Sequence, residues 1–323
     1  ARPQDREQVL AEMIVAGMPP PVKLWNLLLW SYSQAADVRA GMHRMAEAGT
    51  APDMESWIML LRRLKGRPAE IRSAVEEMQA SNIPLDVVAW NMLVSSRRSP
   101  QEVREAMNEM REAGTSPTVV TWNILLKSHL KPSEPPTQPS VASKDNIRVA
   151  DIVRGVMVEM TAAGVTPNVI SWNTLLQAYR RDKPDQVRAV MDEMLAAGVE
   201  PDSFSYSTLF TCYLRNEDEL EVVDIYNTHL KENPGVINNY VATAILRALA
   251  VRGSEADITA FWNSHKDKLQ KADLNFLQDE SVRQAVSPCW RWSVMRRLWS
   301  IRAPSEGISS DSHLVDTVRR IEY

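Results

Sequence analysis

Apolar residues recur at helical spacing along most of the chain, and the helical segments come in pairs. The first segment of one pair places apolar side chains at Ile170, Trp172, Leu175, Leu176 and Tyr179. The second segment places them at Val187, Val190, Met191 and Met194. Because residues three or four positions apart share one face of an α-helix, each segment predicts an amphipathic helix.

The second helices all end in a similar way. An Ala-Gly pair stands near the end of two of them, at Ala163-Gly164 and Ala197-Gly198, and a proline follows at Pro167 and Pro201. Glycine is favoured just past a helix, and proline cannot continue one. The pattern therefore predicts helix-turn-helix units.

Two sets of landmarks keep one rhythm along the chain. The aromatic landmarks are Trp25, Trp57, Trp90, Trp122, Trp172 and Tyr206, and the methionine landmarks are Met13, Met45, Met78, Met110, Met160 and Met194. Both sets have spacings of 32, 33, 32, 50 and 34 residues, which indicates a tandem repeat. We interpret both sets as core residues. Since hairpins of this kind bury their apolar stripes only against neighbours, the sequence predicts an all-α fold, a right-handed superhelical solenoid.

The same rhythm predicts the division of the chain. Residues 1–21 match the second helix of a truncated repeat, so we expect the array to have been longer at its N-terminus. Six repeats then occupy residues 22–238, and degenerate helical repeats over residues 239–323 cap the stack. The long step of 50 falls on residues 131–146, KPSEPPTQPSVASKDN, whose four prolines predict a loop insertion. That loop is either a surface insertion or a partner-docking segment.

Composition restricts the function classes. The 323 residues carry a net charge of −4, so any site for a polyanion must be a local basic strip. The two cysteines, Cys212 and Cys289, form no CxxC motif and predict no disulfide framework or cysteine-based zinc site. There is no apolar run long enough for a membrane span. Neither the sequence signature of a zinc deaminase nor that of a P-loop occurs, so we expect no enzyme, metal, cofactor or small-molecule substrate.

Two stretches carry a more specific signature. VVTWNILL with EMTAAGVTPN, and VISWNTLL with EMLAAGVEPD, resemble the pentatricopeptide repeat, and the resemblance extends over Val22 to Asn238. It implies a protein that holds single-stranded RNA, one base per repeat. Tetratricopeptide repeats, which bind proteins, rank second because they carry a different signature.

In the family that the chain resembles, the fifth and last residues of a repeat contact the base edge. The implied base-contacting pairs are Asn26 with Asp53, Asn91 with Thr118, Asn123 with Asn168, Asn173 with Asp202, and Ser207 with Asn238. The remaining pair, Ile58 with Asp86, departs from the pattern because Ile58 cannot hydrogen-bond a base. By the family's rules Asn-Asp pairs resemble uracil readers, Asn-Asn suggests a pyrimidine and Ser-Asn suggests adenine. A structural hydrogen bond is the alternative role for the asparagines.

Two further sets complete the predicted RNA surface. The resemblance implies that bases are held between apolar residues at the second position, here Val88, Val120, Ile170, Phe204 and Tyr240, whereas Lys23 and Glu55 break this pattern. Cations near the ends of the first helices form a predicted phosphate strip of Lys65, Arg98, Lys131, Arg181, Arg215 and Arg252. Stabilisation of helix C-termini is the alternative role for these cations.

The resemblance implies a non-catalytic organellar protein, in the mitochondrial matrix or alternatively in a chloroplast. Two roles stay open. One is an adaptor for RNA processing, and the other is a subunit of a ribonucleoprotein such as the mitochondrial ribosome, in contact with ribosomal RNA and other proteins. The alternative class is a protein scaffold of the tetratricopeptide type, without RNA.

Overall fold

A computed structural model describes residues 3–130, 142–181 and 183–269. The regular secondary structure of these residues consists of α-helices and short helical turns. The helices are α1 (Pro3–Val15), α2 (Val22–Ser31), α3 (Ala35–Glu47), α4 (Met54–Arg63), α5 (Pro68–Ala80), α6 (Val87–Ser95), α7 (Pro100–Glu112), α8 (Val119–His129), α9 (Ala142–Ala162), α10 (Val169–Tyr179), α11 (Pro184–Ala196), α12 (Ser203–Arg215), α13 (Glu219–Ile225), α14 (Asn239–Arg252) and α15 (Glu255–Leu269). A π-helical turn at Tyr226–Leu230 extends α13, and a 3₁₀ turn follows at Pro234–Val236. The described residues contain no β-strand.

The described residues form two compact units. The first comprises residues 3–130 and 155–167, and in it α2 packs against α3 and α4, α4 against α5 and α6, and α6 against α7 and α8. The second comprises residues 142–154, 168–181 and 183–269, and in it α10 packs against α11 and α12, and α12 against α13 and α14. In these contacts, each of the first helices α2, α4, α6, α10 and α12 meets its own second helix and the next first helix of the same unit. This packing confirms the predicted class of all-α stacked helix-turn-helix repeats.

The turns after the second helices repeat one hydrogen-bonding pattern. After α3 the Thr50 N–H donates to the Met45 carbonyl at 3.0 Å, and the same bond recurs from Val199 to Met194 at 3.1 Å. Such a turn needs one residue with positive φ, supplied after α3 by Gly49 at +78°. After α5 that residue is Asn82 at +56°, one of the few types that tolerate the left-handed region.

Most of the landmarks lie in the core, as predicted, whereas Met13 and Tyr206 are only partly buried. Five of the six landmark methionines are completely buried, namely Met45, Met78, Met110, Met160 and Met194. The buried tryptophans are Trp25, Trp57, Trp90 and Trp122, and Trp172 is partly buried. These side chains fill the space between paired helices, so they are not available to stack on a base.

The predicted loop insertion is wrong for its last five residues, because α9 begins at Ala142. All four prolines of the segment precede that residue, and neither proline nor glycine occurs again before Gly155, so nothing in the local sequence stops the helix. Residues 131–141 lie outside the described residues. Within residues 239–323, where degenerate helical repeats are predicted, the structure has α14 and α15, and the part beyond residue 269 lies outside the described residues.

Candidate nucleic-acid interface

The last residue of each repeat begins the next first helix. Asp53 is the N-cap of α4, and its carboxylate accepts the Ser56 backbone N–H at 3.0 Å. Asp202 does the same for α12, accepting the N–H groups of Phe204 and Ser205, each at 3.0 Å. Short polar side chains satisfy the otherwise unpaired N–H groups at a helix start. The terminal Asn or Asp of the repeat motif therefore has a structural task in addition to any contact with RNA.

The structure joins two of the predicted base-contacting pairs directly. The amide nitrogen of Asn173 donates to Asp202 at 3.0 Å, and its oxygen accepts the Ser205 hydroxyl at 2.6 Å. Asn26 is bonded in the same way, to Asp53 at 3.1 Å and to the Ser56 hydroxyl at 2.7 Å. Both amides are nearly buried, and their orientation is set by the two bonds.

The pairs Asn91 with Thr118 and Ser207 with Asn238 differ from this arrangement. The Asn91 oxygen accepts the Thr121 hydroxyl at 2.6 Å, and Asn123 is buried with 6% of its surface exposed. The Ser207 hydroxyl donates to the Phe204 carbonyl of its own helix at 3.1 Å. The caps Thr118, Asn168 and Asn238 begin α8, α10 and α14.

Hydroxyl groups at the third position of the first helices are the partners that sequence reasoning missed. Ser56, Thr121 and Ser205 are fully buried, and each donates to the fifth-position asparagine of the preceding repeat. A signal for them exists in the sequence. Each fifth-position Asn is followed, one repeat later, by Ser or Thr at the third position, whereas Ile58 and Ser207 are followed by Ala89 and Val241.

The two joined asparagines differ in what they leave for a ligand. The Asn26 amide nitrogen donates to Asp53 and also to Glu55 at 3.2 Å, so both of its N–H groups have acceptors within the protein. The Asn173 nitrogen donates only to Asp202 among the described residues. One N–H of Asn173 therefore remains to meet a base edge.

The carboxylates of these pairs stay ionised at neutral pH. Partial burial alone would raise the pKa of Asp202, but hydrogen bonds from the Ser205 backbone, the Asn173 amide and the Ser205 hydroxyl together lower it below its ordinary value. The pKa of Asp53 is lowered in the same way, by Ser56 and Asn26 against the effect of burial. An ionised carboxylate can only accept hydrogen bonds, so the Asn amide beside it must direct its nitrogen toward the carboxylate.

The predicted base-sandwiching residues are all exposed. Their exposed fractions are 38% for Val88, 52% for Val120, 43% for Ile170, 41% for Phe204 and 71% for Tyr240. Each precedes the fifth position by three residues, which places the two side chains on neighbouring positions of one helix face. An exposed apolar side chain next to a fixed amide is a surface on which an unstacked base can be held.

The predicted phosphate contacts divide into different environments. Arg181 is exposed, Arg215 has its guanidinium 3.8 Å from the Cys212 sulfur, and Arg252 pairs with Glu219 at 3.7 Å. Lys131 lies outside the described residues. Lys65 and Arg98, which come from consecutive repeats, line one cleft.

This cleft has a volume of about 630 Å³ and lies among α4, α5 and α6. Four cations line it, namely Arg62, Lys65, Arg97 and Arg98. Sequence reasoning identified only Lys65 and Arg98, although the adjacent dibasic pairs Arg62-Arg63 and Arg97-Arg98 are visible in the sequence. We call these four residues with their surroundings the basic cleft.

The described ranges contain neither a metal site nor a membrane-spanning helix. No group of His, Cys, Asp and Glu side chains there has the arrangement of a metal site. No helix in the same ranges is both long and apolar enough to cross a bilayer.

Two stretches of the chain match profiles of known protein families. Residues 73–130 match the pentatricopeptide repeat domain, and residues 156–215 match the PPR repeat family. No curated protein sequence matches this chain at a significant level.

Several solved structures are similar to the chain at low sequence identity. The pentatricopeptide repeat protein PPR10 from maize is 18% identical, with a TM-score of 0.44 over 96% of this chain and 52% of PPR10. PPR10 in complex with an 18-nt psaJ RNA element is 16% identical, with a TM-score of 0.38 over 97% of this chain and 52% of PPR10. The chain thus spans about half the length of that protein.

A third structure is the PPR domain of Arabidopsis thaliana protein-only RNase P 1 in complex with tRNA. It is 14% identical, with a TM-score of 0.36 over 64% of this chain and 95% of that domain. The family profiles are more specific than these structural likenesses, because they match the repeat signature itself. Residues 73–130 and 156–215 of the chain therefore carry pentatricopeptide repeats, and similar helical hairpins also occur outside these two stretches.

Proposed function

We propose that this chain binds single-stranded RNA along its first helices and reads bases at the fifth and last positions of its repeats. The pair Asn173 and Asp202 carries the proposal. Its amide is fixed by two hydrogen bonds and keeps one N–H for a base edge, and Ile170 and Phe204 are exposed at the second positions of α10 and α12. Repeats of this type read one base each through two or three side chains.

The proposal includes no catalytic step. Its finer part is that the chain works in an organelle, in the mitochondrial matrix, within a ribonucleoprotein that processes or stabilises RNA. Family resemblance is the support for this location. The protein partners of the proposal are the other subunits of that ribonucleoprotein.

A second candidate is a structural subunit of a large ribonucleoprotein such as the mitochondrial ribosome, which grips ribosomal RNA without reading a sequence. Two observations favour it. The chain has a net charge of −4, and the Asn26 amide has both N–H groups bonded to Asp53 and Glu55. A repeat whose amide is already satisfied by the protein cannot donate to a base.

The substitution Asp202→Asn distinguishes the two candidates without removing the helix cap, since Asn168 already caps α10 in this chain. It converts an Asn-Asp pair into an Asn-Asn pair. We expect the preference at one nucleotide to change from uracil to either pyrimidine, while the rest of the selected sequence stays the same. Selection from a random pool of short single-stranded RNAs, sequenced for wild type and variant, measures this.

Asp86→Asn is the matched control, because Asp86 caps α6 in the same way but is paired with Ile58. It should leave every preference unchanged. Unselective binding by the wild type, unchanged by Asp202→Asn, would contradict base reading and favour the structural subunit.

A further inference from the structure

The basic cleft concentrates positive charge that the protein does not neutralise. Arg62, Lys65 and Arg98 have no acidic side chain within ion-pair distance among the described residues. Glu102 accepts the backbone N–H of Arg98, not its guanidinium. Three cations that face one space without counter-charges favour an anionic ligand, because bringing them together costs electrostatic energy that an anion offsets.

Arg97 adds a buried donor to the cleft. One of its terminal nitrogens lies 3.7 Å from Glu109, while its Nε–H is buried and has no hydrogen-bond partner in the part of the chain that the structure describes. A buried donor that lacks an acceptor costs about 1–3 kcal/mol in a folded protein, so such a group indicates an absent partner. An anionic oxygen in the cleft is the partner that this donor fits best.

The remaining lining of the cleft suits a ligand larger than a simple anion. Leu61, Ile71 and Met92 contribute apolar surface, and Ser95 and Ser96 contribute hydroxyl groups. The volume of about 630 Å³ lies in the range of pockets that hold cofactor-sized molecules. An apolar wall for a base or ribose beside several cations is the chemistry of a nucleotide site.

The concentration of charge favours one kind of phosphate. An internal phosphodiester of a single strand carries one negative charge per nucleotide, so two consecutive repeats meet about two charges on separate groups. Four cations and two nearby carboxylates, Glu109 and Glu102, leave about two positive charges in one cleft. A terminal phosphate or a polyphosphate carries two or more negative charges on one group, so it matches a single cleft better.

We propose that the basic cleft binds the terminal phosphate or polyphosphate group of a nucleotide. The nucleotide is either the end of an RNA strand or a free nucleoside polyphosphate, since both present the same charged group. This inference does not depend on base reading by Asn173 and Asp202. It assigns a second kind of site to the repeat pair in which Ile58 replaces the base-reading asparagine.

The test uses the full chain and three RNA octamers of one sequence, which carry a triphosphate, a monophosphate or a hydroxyl at the 5′ end. ATP, AMP and adenosine are titrated in parallel. We expect the triphosphate end or ATP to bind at least about tenfold more tightly than the hydroxyl end or adenosine, as charge-assisted hydrogen bonds to phosphate imply.

The variant Arg62→Gln with Lys65→Gln removes two exposed cations of the cleft and should abolish this discrimination. Arg180→Gln with Lys183→Gln removes two exposed cations at the end of α10 and the start of α11, outside the cleft and the predicted phosphate strip, and should retain it. Circular dichroism and thermal unfolding show whether each variant folds. Arg97→Gln, measured separately, should weaken phosphate binding through the loss of the buried donor.

Each outcome has a definite meaning. Discrimination among RNA ends without binding of ATP identifies a strand terminus, and binding of ATP identifies a free nucleotide. Binding of ATP by a chain that ignores all three RNAs would sustain this inference and overturn the proposed function. Equal affinity for all ends, or equal losses in the cleft variant and the α10 control, would overturn the inference.

Discussion

The contact between α4 and α6 and the contact between α10 and α12 join equivalent helices but differ in chemistry. At the α10–α12 contact, Asn173 accepts the buried Ser205 hydroxyl and donates to Asp202. At the α4–α6 contact the equivalent residues are Ile58 and Ala89, which cannot form these bonds. The basic cleft lies beside the α4–α6 contact. The comparison teaches that the concentrated charge lies beside a contact between first helices that lacks the amide and its hydroxyl partner.

Arginines of the second helices, in contrast, form ion pairs within the protein. Arg104 pairs with Glu159 at 2.7 Å, and in the other unit Arg154 pairs with Glu193 at 2.6 Å. These arginines are neutralised by the next second helix, whereas Arg62, Lys65 and Arg98 of the basic cleft have no acidic partner among the described residues. Position in the repeat, not residue type, therefore decides whether an arginine serves the fold or remains for a ligand.

The largest effect is expected from Ser205→Ala, which leaves the oxygen of a nearly buried amide without its donor. An unsatisfied buried acceptor should lower the free energy of unfolding by about 1–3 kcal/mol. Adding Asn173→Ile copies the Ile58–Ala89 contact and should recover most of this loss. Urea unfolding of wild type, single and double variants measures both steps. A double variant as unstable as the single one would show that the two contacts are not interchangeable.

A smaller effect on stability is expected from the reverse exchange, Ile58→Asn with Ala89→Ser. The new amide would have a hydroxyl donor and the Asp86 carboxylate beside it, so the free energy of unfolding should change by less than about 1 kcal/mol. By the family's rule for Asn-Asp pairs, selected RNAs should gain a uracil preference at one further nucleotide. Ala89→Ser alone is the control and should gain none. A double variant with unchanged selectivity would break the link between this contact and base reading.

The smallest effect is expected from the paired cations, because Arg104 and Glu159 are substantially exposed. Arg104→Glu should lower the free energy of unfolding by about 0.2–1 kcal/mol, as is usual for surface ion pairs. Adding Glu159→Arg should restore it, since the chain already contains a reversed pair of this kind, Glu7 with Arg44 at 3.2 Å. Thermal unfolding gives the stability, and nucleotide titration should show no change. A loss of nucleotide affinity would place Arg104 on the ligand surface.

The helices and the core were predictable because they depend on residues close together in sequence. The rhythm of Trp90, Met110 and their equivalents predicted which side chains are buried, since periodicity alone determines a helix face. The start of α9 at Ala142 was not predicted, because the predicted loop included residues that follow the last proline of the segment, Pro139. A boundary of this kind depends on where the last helix breaker stands.

The candidate site was predictable only in part. The repeat motif identified Asn173 and Asp202, but not Ser205, whose hydroxyl acts across two repeats. The sequence shows that a Ser or Thr at the third position follows each fifth-position Asn one repeat later. Only the hydrogen bond seen in the structure explains this co-occurrence. The cations were predicted as one strip, and the structure shows that their surroundings differ: Arg252 is paired with Glu219, whereas Lys65 lines the basic cleft without an acidic partner among the described residues.

The sequence by itself determined the repeat length, the helical hairpins, the buried faces and the positions of the polar side chains on the first helices. These follow from local spacing and from the chemistry of helix ends. Only the tertiary structure decided which polar groups satisfy one another and which are left for a ligand. Arg104 and Glu159 are 55 residues apart in the chain, and an ion pair forms only where packing brings such groups within a few ångströms.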